Sequence, residues 1–308
     1  MKPAQQPVGP GAARKQRGEF AERGFIIVAV LWILMALAAL ASAFALYASN
    51  SAVAARLSSD RLQADALISA GLELTALRLF DRSDDDPRSV GELQFQMGGG
   101  DVAVRFRSEG ARIDLNAAPK ELLAGLFTTL GAKSDDAALY ADRVIGWRKP
   151  NEGTTQNKEL DAYKDAGLKY GPRQSPFQNV AELRFVLGIP PALVEKAMPF
   201  VTIYNGLPQI DAIAAPPEVI ESLPHIDPDI AKAVLDGRAA ADPKSILSLL
   251  GQAKDSVSFE PRKATRVNLT ISFKGGRRVA AEAVILFIDK DTEPYRILAW
   301  RDDFDGTF

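Results

Sequence analysis

The 308-residue chain has no cysteine, and it has one histidine, three tryptophans and four methionines. The absence of cysteine rules out disulfides, thiolate catalysis and thiolate metal ligation together. With a single histidine, His225, any histidine-dependent triad must run through that residue, and no glycine-framed serine of the hydrolase type accompanies it. There is no P-loop lysine motif and no dinucleotide fingerprint. The 37 basic and 39 acidic side chains nearly balance. The net charge is -2 and the sequence pI about 5.7, so no global positive field draws the chain to nucleic acid or anionic lipid. Trp32 lies within an apolar run, and Trp147 and Trp300 are expected to support packing. These features point away from an enzyme.

The chain does have a long uncharged run. No side chain carries a formal charge from Gly24 to Ala55, and roughly 20 apolar helical residues suffice to cross about 30 Å of hydrocarbon. Lys2, Arg14, Lys15, Arg17 and Arg23 precede this run against Glu19 and Glu22. The positive-inside rule keeps that leader cytoplasmic and exports the remainder of the chain. The run is too long for an ordinary secretory signal, whose apolar core is about 7 to 15 residues, so it is expected to remain as an anchor.

Helical spacing continues past the span, with Leu67, Ala70, Leu74 and Leu77 recurring every three or four residues. A helix from Phe25 to Phe80 would be on the order of 80 Å long. "RSDDDPRS" at 82–89 then breaks it. "ELQFQM", "DVAVRFR" and "ARIDL" alternate apolar and polar residues around glycine turns and predict an antiparallel meander. A second strand block, "TRVNLTISFKG", "RRVAAEAVILFIDK" and "YRILAW", closes the chain. The economical arrangement is one sheet built from both blocks, with the helical stretch between them inserted.

The insert contains an echo. "IDLNAAPKELL" (113–123) and "IDAIAAPPEVI" (210–220) share six of eleven residues in register, each with a proline near the helix start and Glu121 or Glu218 toward the positive end of the dipole. Two copies are too few for a solenoid, so the pattern predicts a duplicated helical subdomain. "NVAELRFVLGIPPALVEKAMPFV" (179–201) and "VIESLPHIDPDIAKAVLDGR" (219–238) look like helix-hairpin-helix units, which raises DNA binding as the rival function. Phosphate binding there needs backbone N–H groups in a glycine-rich hairpin. Pro190 and Asp227 occupy the second glycine position, which favours a structural use of the fold.

The junction Arg23-Gly24-Phe25 resembles a type III, prepilin-like leader, cut after Gly24 with methylation of the new N-terminus at Phe25. Such proteins carry glutamate at the fifth mature position, which here is Ala29. An unpaired buried carboxylate costs several kcal/mol, so a subunit with no neighbour above it gains by lacking one. Together with the duplicated "AAP" segment, "FQNVAELRFVLGI" and "YRILAWR", the leader resembles the general secretion pathway protein K family, the large minor pseudopilins of type II secretion. The resemblance covers the chain from Arg23 to Arg301. It implies an α+β fold, a pilin-like long N-terminal helix on an antiparallel sheet, interrupted by a large helical domain with helix-hairpin-helix or SAM-like repeats. The expected segments are a leader (1–24), a membrane and stem helix (25–80), a first sheet segment (81–116), the insert (117–262) and a second sheet segment (263–308).

The resemblance further implies an inner-membrane protein with a periplasmic main domain, processed by prepilin peptidase, that caps the pseudopilus in a tip complex with I- and J-type pseudopilins. The competence type of exported DNA-binding protein is the alternative, since nucleic acid is not expected as a partner of the first. Some relatives bind calcium after a "W-x-D-x-D" segment. Here Trp147 is followed by Arg148, Lys149, Pro150 and Asn151, so Glu159 and Asp161 are the oxygen donors left as calcium (Ca2+) candidates. Calcium takes six to eight oxygens, and a solvated loop is the simpler reading.

Overall fold

The computed structural model describes residues 16–80, 90–150, 158–238, 243–260, 263–274, 276–288 and 295–302. It divides into two units, 1–63 and 64–308. The first contains most of helix α1 (Gln16–Phe80), which begins ahead of Phe25. The leader up to residue 15 and "RSDDDPRS" at 82–89 lie outside the described residues.

Within the second unit, the last turns of α1 pack on a five-stranded antiparallel sheet. Its strands are β1 (Val90–Met97), β2 (Gly100–Ser108), β5 (Ala264–Phe273), β6 (Arg278–Phe287) and β7 (Tyr295–Arg301), in the order β1-β2-β5-β6-β7. Antiparallel pairing of β2 with β5 joins the two sequence blocks, and everything between these strands is inserted there. The β1–β2 turn is Gly98-Gly99, both at positive φ, the backbone a tight two-residue hairpin requires.

One face of the sheet reads as the alternation predicts. Val102, Val104 and Phe106 on β2, Val267, Leu269 and Ile271 on β5, and Ala281, Ala283 and Ile285 on β6 are buried against Leu67, Ile68 and Leu72 of α1. Each large aliphatic side chain so buried contributes roughly 1.5–3 kcal/mol. The buried helical stripe is Ala64, Leu67, Ile68, Gly71, Leu72, Thr75 and Ala76. It lies beside the one read from leucines, and Leu74 and Leu77 are exposed at 39% and 63%. Small residues explain the offset. A Cβ on Gly71 would clash with Leu269 Cδ2, so the helix approaches the sheet along its small side chains, which carry little hydrophobic signal of their own.

The third expected meander strand does not join this sheet. β3 (Ile113–Asp114) pairs in parallel with β4 (Val201–Thr202) inside the insert. The insert is helical: α2 (Lys120–Thr129), α3 (Ser134–Arg148), α4 (Lys158–Asp165), α5 (Pro191–Ala197), α6 (Pro217–Glu221), α7 (Pro228–Gly237) and α8 (Pro243–Leu250). They surround a second core that includes Leu122, Leu126, Phe127, Val144, Leu183 and Ile220. The segment 180–185, at the start of the first hairpin-like stretch, is a 3-10 helix.

Tight hairpins link the helices, and the first of them carries no signature in the sequence beyond its glycine. Gly131 (φ 103) lies between α2 and α3, Gly188 (φ 84) precedes α5, and His225 (φ 59) lies between α6 and α7. Two positions later Lys133, Pro190 and Asp227 serve as N-caps. Histidine tolerates the left-handed region better than most residues, which gives the lone histidine a backbone role.

Candidate functional site

The duplicated segments are built by one device. In the first copy Asp114 is buried at the end of β3; its carboxylate accepts from Asn116 N–H at 2.7 Å and Gly206 N–H at 2.7 Å. In the second, buried Asp211 accepts from Ile213 N–H at 2.9 Å. Each copy then runs through Ala-Ala-Pro into a helix. Arg148 at the end of α3 donates to the carbonyls of Leu115 (2.5 Å) and Ala118 (2.7 Å), and Arg238 after α7 donates to the carbonyl of Ala215, the residue equivalent to Ala118. Burial raises the pKa of Asp114 and lowers that of Arg148, and each partly offsets the other.

The copies also touch each other at equivalent positions. Gly125 and Ser222 each lie twelve residues after their copy's leading isoleucine, and a Cβ on Gly125 would collide with Ser222 O. Contact between equivalent residues is what a two-fold relation produces. The sequence echo shows the aspartates and prolines. It does not show the two arginines, which lie outside the aligned segments at the ends of later helices.

Gly24, Phe25 and Ala29 lie in α1. The stretch Phe25–Phe80 is long and apolar enough to cross a membrane, and none of its most apolar window is buried within the protein. Further along, Leu74, Leu77 and Phe80 leave an apolar row on the face of α1 turned away from the sheet.

Glu159 and Asp161 are two residues apart on α4, so at 100° per residue they point to different sides. Glu159 accepts from Arg143 at 2.8 Å, with both side chains 22% exposed, and Asp161 pairs with Lys164 at 3.2 Å. Burial raises the Glu159 pKa, with Arg143 opposing. Among the described residues no group of three histidine, cysteine, aspartate or glutamate side chains could hold a metal. The two carboxylates do not fit a shared calcium site.

Of the two tryptophans expected to support packing, Trp147 does so. It is buried, stacks on Phe177 and donates to Glu182 Oε2 at 3.3 Å. Trp300 instead lies 44% exposed on the edge strand β7.

The outer face of the sheet, opposite α1, carries a polar row that alternation does not single out. Glu92, Arg105, Asn268, Glu282 and Arg301 are successive cross-strand partners on all five strands. One register along, Arg266 donates to Glu109 (2.7 Å) and Glu282 (2.5 Å). Glu109, completely buried in the segment entering the insert, also accepts from Thr202 on β4. Desolvation works against the Arg266 charge, but the two glutamates more than offset it and raise its pKa. This ion-paired cluster ties the sheet to the insert.

The architecture is a long N-terminal helix on an antiparallel sheet, interrupted after the second strand by a duplicated helical domain. Residues 106–206 match the family model of Type II secretion system (T2SS), protein K. It is the family that the sequence resembles. Among solved structures, the chain is similar to one in the crystal structure of the GspK-GspI-GspJ complex from the enterotoxigenic Escherichia coli Type 2 Secretion System. The TM-score is 0.54 at 18% identity, covering 80% of this chain and 99% of that one. At that identity the likeness speaks to fold, and the α+β architecture is shared. No match is found among curated proteins.

Proposed function

We propose that this chain is a minor pseudopilin that caps the tip of the periplasmic pseudopilus of type II secretion. In this reading prepilin peptidase cuts after Gly24 and methylates Phe25, the apolar segment leaves the inner membrane for the filament core, and the main domain faces the periplasm. Ala29 brings no carboxylate that would need a neighbour above. The insert at the β2–β5 junction obstructs addition of a further subunit. I- and J-type pseudopilins dock below along the exposed stem face.

The observation that carries the reading is the stem's two-sidedness. One side, Leu67, Ile68 and Leu72, is sealed by the protein's own sheet, whereas Leu74, Leu77 and Phe80 on the other remain open, Phe80 at 76%. Burial of such side chains in a neighbour is worth about 25 cal/mol per Å2. The test is co-purification of the detergent-solubilised full chain with its I- and J-type partners. Leu77→Asp is expected to abolish recovery of the partners without altering thermal unfolding. Undiminished recovery would remove the stem face from the interface, and no recovery with the unmodified chain would sink the reading. Mass spectrometry of the mature N-terminus checks processing separately: methylated Phe25 is expected, and an intact Met1 rejects it.

A further inference from the structure

Between the outer sheet face and the insert lies a cleft of about 750 Å3, within the size range of ligand pockets. Its floor is the cross-strand polar row, and its opposite wall includes Val180, Met198, Pro199 and Phe200. Five arginines and three glutamates line it, with no aspartate or lysine, so the lining carries an excess of two positive charges.

That excess is concentrated at one end. Arg266 is held by Glu109 and Glu282, and Arg301 reaches Glu282 at 3.7 Å. Arg112, half-buried at the mouth of the insert, and Arg107, exposed beside it, have no carboxylate or hydrogen-bond partner for their guanidinium groups among the described residues. A half-buried cation with no direct ion pair is costly even where carboxylates lie nearby. The cost is visible in Arg112, whose pKa falls to about 10 through burial and the nearby charges of Arg266 and Arg107, with Glu109 and Glu282 opposing. A second group points the same way. Asn268 Oδ1, in the middle of the polar row, is buried and accepts no hydrogen bond, although buried acceptors are nearly always satisfied.

The cleft thus presents two guanidinium groups, Arg107 and Arg112, and an unsatisfied acceptor, Asn268 Oδ1. An extended peptide with acidic side chains suits both, with carboxylates for the guanidinium groups and backbone N–H groups for the amide oxygen, while its apolar side chains meet Met198 and Phe200. We propose that this cleft is a binding site for an extended acidic segment of a partner protein. The site is on a different face from the stem and does not depend on the capping role.

The test uses the full chain in detergent and a fluorescein-labelled hexapeptide of alternating valine and glutamate, followed by anisotropy. The valine–glutamine analogue is the comparison, and sodium phosphate is the competitor. The glutamate peptide is expected to bind at least about tenfold more tightly than the glutamine analogue, and Arg112→Gln to lose about tenfold, as the loss of a charge-assisted hydrogen bond implies. Asn268→Leu should weaken binding severalfold. Should Arg112→Gln fail to fold, Arg107→Glu, at an exposed position, reads the same charge. Equal binding of the two peptides, or affinity indifferent to both arginine variants, would overturn the site. Phosphate that binds with the same Arg112 dependence and displaces the peptide at equal concentration would reduce it to a free-anion site and overturn the peptide.

Discussion

The two copies inside the insert use the same residues to different depths. The first supports the ten-residue α2 and the fifteen-residue α3, and its aspartate, asparagine and arginine each make two hydrogen bonds within reach of the Ala-Ala-Pro loop. The second supports the five-residue α6 and ten-residue α7, with single bonds from Asp211 and Arg238 and an apolar Ile213 where the first has Asn116. Duplication therefore left one copy as the framework and the other as a thinner partner packed on it. The difference teaches that the echo marks a shared turn rather than equal structural weight.

The harshest way to break the comparison is to push the copies apart. Gly125→Ala places a methyl group where Ser222 O stands, and the backbone at the end of α6 must move to admit it. Overpacking of this kind costs 1–3 kcal/mol and sometimes more, so a loss of about 3 kcal/mol is expected in urea unfolding. Ser222→Ala leaves that approach unchanged and should cost less, even though its hydroxyl donates to Val219 O. A neutral Gly125→Ala would show that the copies are not in contact there.

Paired truncations sharpen the comparison. Asp114→Ala strands the N–H groups of Asn116 and Gly206, and Asp211→Ala strands that of Ile213; at 1–3 kcal/mol for an unsatisfied buried group, losses of about 3 and about 1.5 kcal/mol are expected. Arg148→Met and Arg238→Met should follow the same order at about 2 and about 1 kcal/mol. Asn116→Ile, which makes the first copy resemble the second, removes the two-bond staple to Phe177 and should cost about 2 kcal/mol. Equal losses across each pair would mean that the second copy bears as much weight as the first.

The pattern of what was legible follows from range. Strands β1, β2, β5, β6 and β7 are readable because alternation and glycine turns are local signals, and the echo is readable because two segments align. Ile113 and Asp114 look like meander strand from the same local signal. Their partner, however, is Val201–Thr202, nearly ninety residues away, and no local pattern announces that pairing. The stem's burial stripe differs from the leucine pattern by a fraction of a turn because Ala64, Gly71 and Ala76 decide the approach while leucines dominate the hydrophobic signal. Arg148, Arg238 and the polar row across the sheet act through carbonyls or cross-strand neighbours that only the folded chain brings together.

The smallest effect is expected at Glu159, where the first copy's outer helix α4 meets α3. Its carboxyl is buried enough to hold its proton more tightly folded than unfolded, with Arg143 only partly compensating. For an acid raised in this way, folding is favoured most below the ordinary value of 4.5, and that contribution is lost as pH rises through the interval up to the folded value. Glu159→Gln removes the titration and keeps an acceptor for Arg143, so at pH 7 it should change stability by less than about 1 kcal/mol. Relative to the variant, the unmodified protein should gain as pH is lowered toward about 4, and EDTA should leave both unfolding curves in place. The opposite slope, with the unmodified protein gaining as pH rises and losing that gain in EDTA, would mean that the ionised carboxylate is stabilised by a bound cation, and calcium would return to α4.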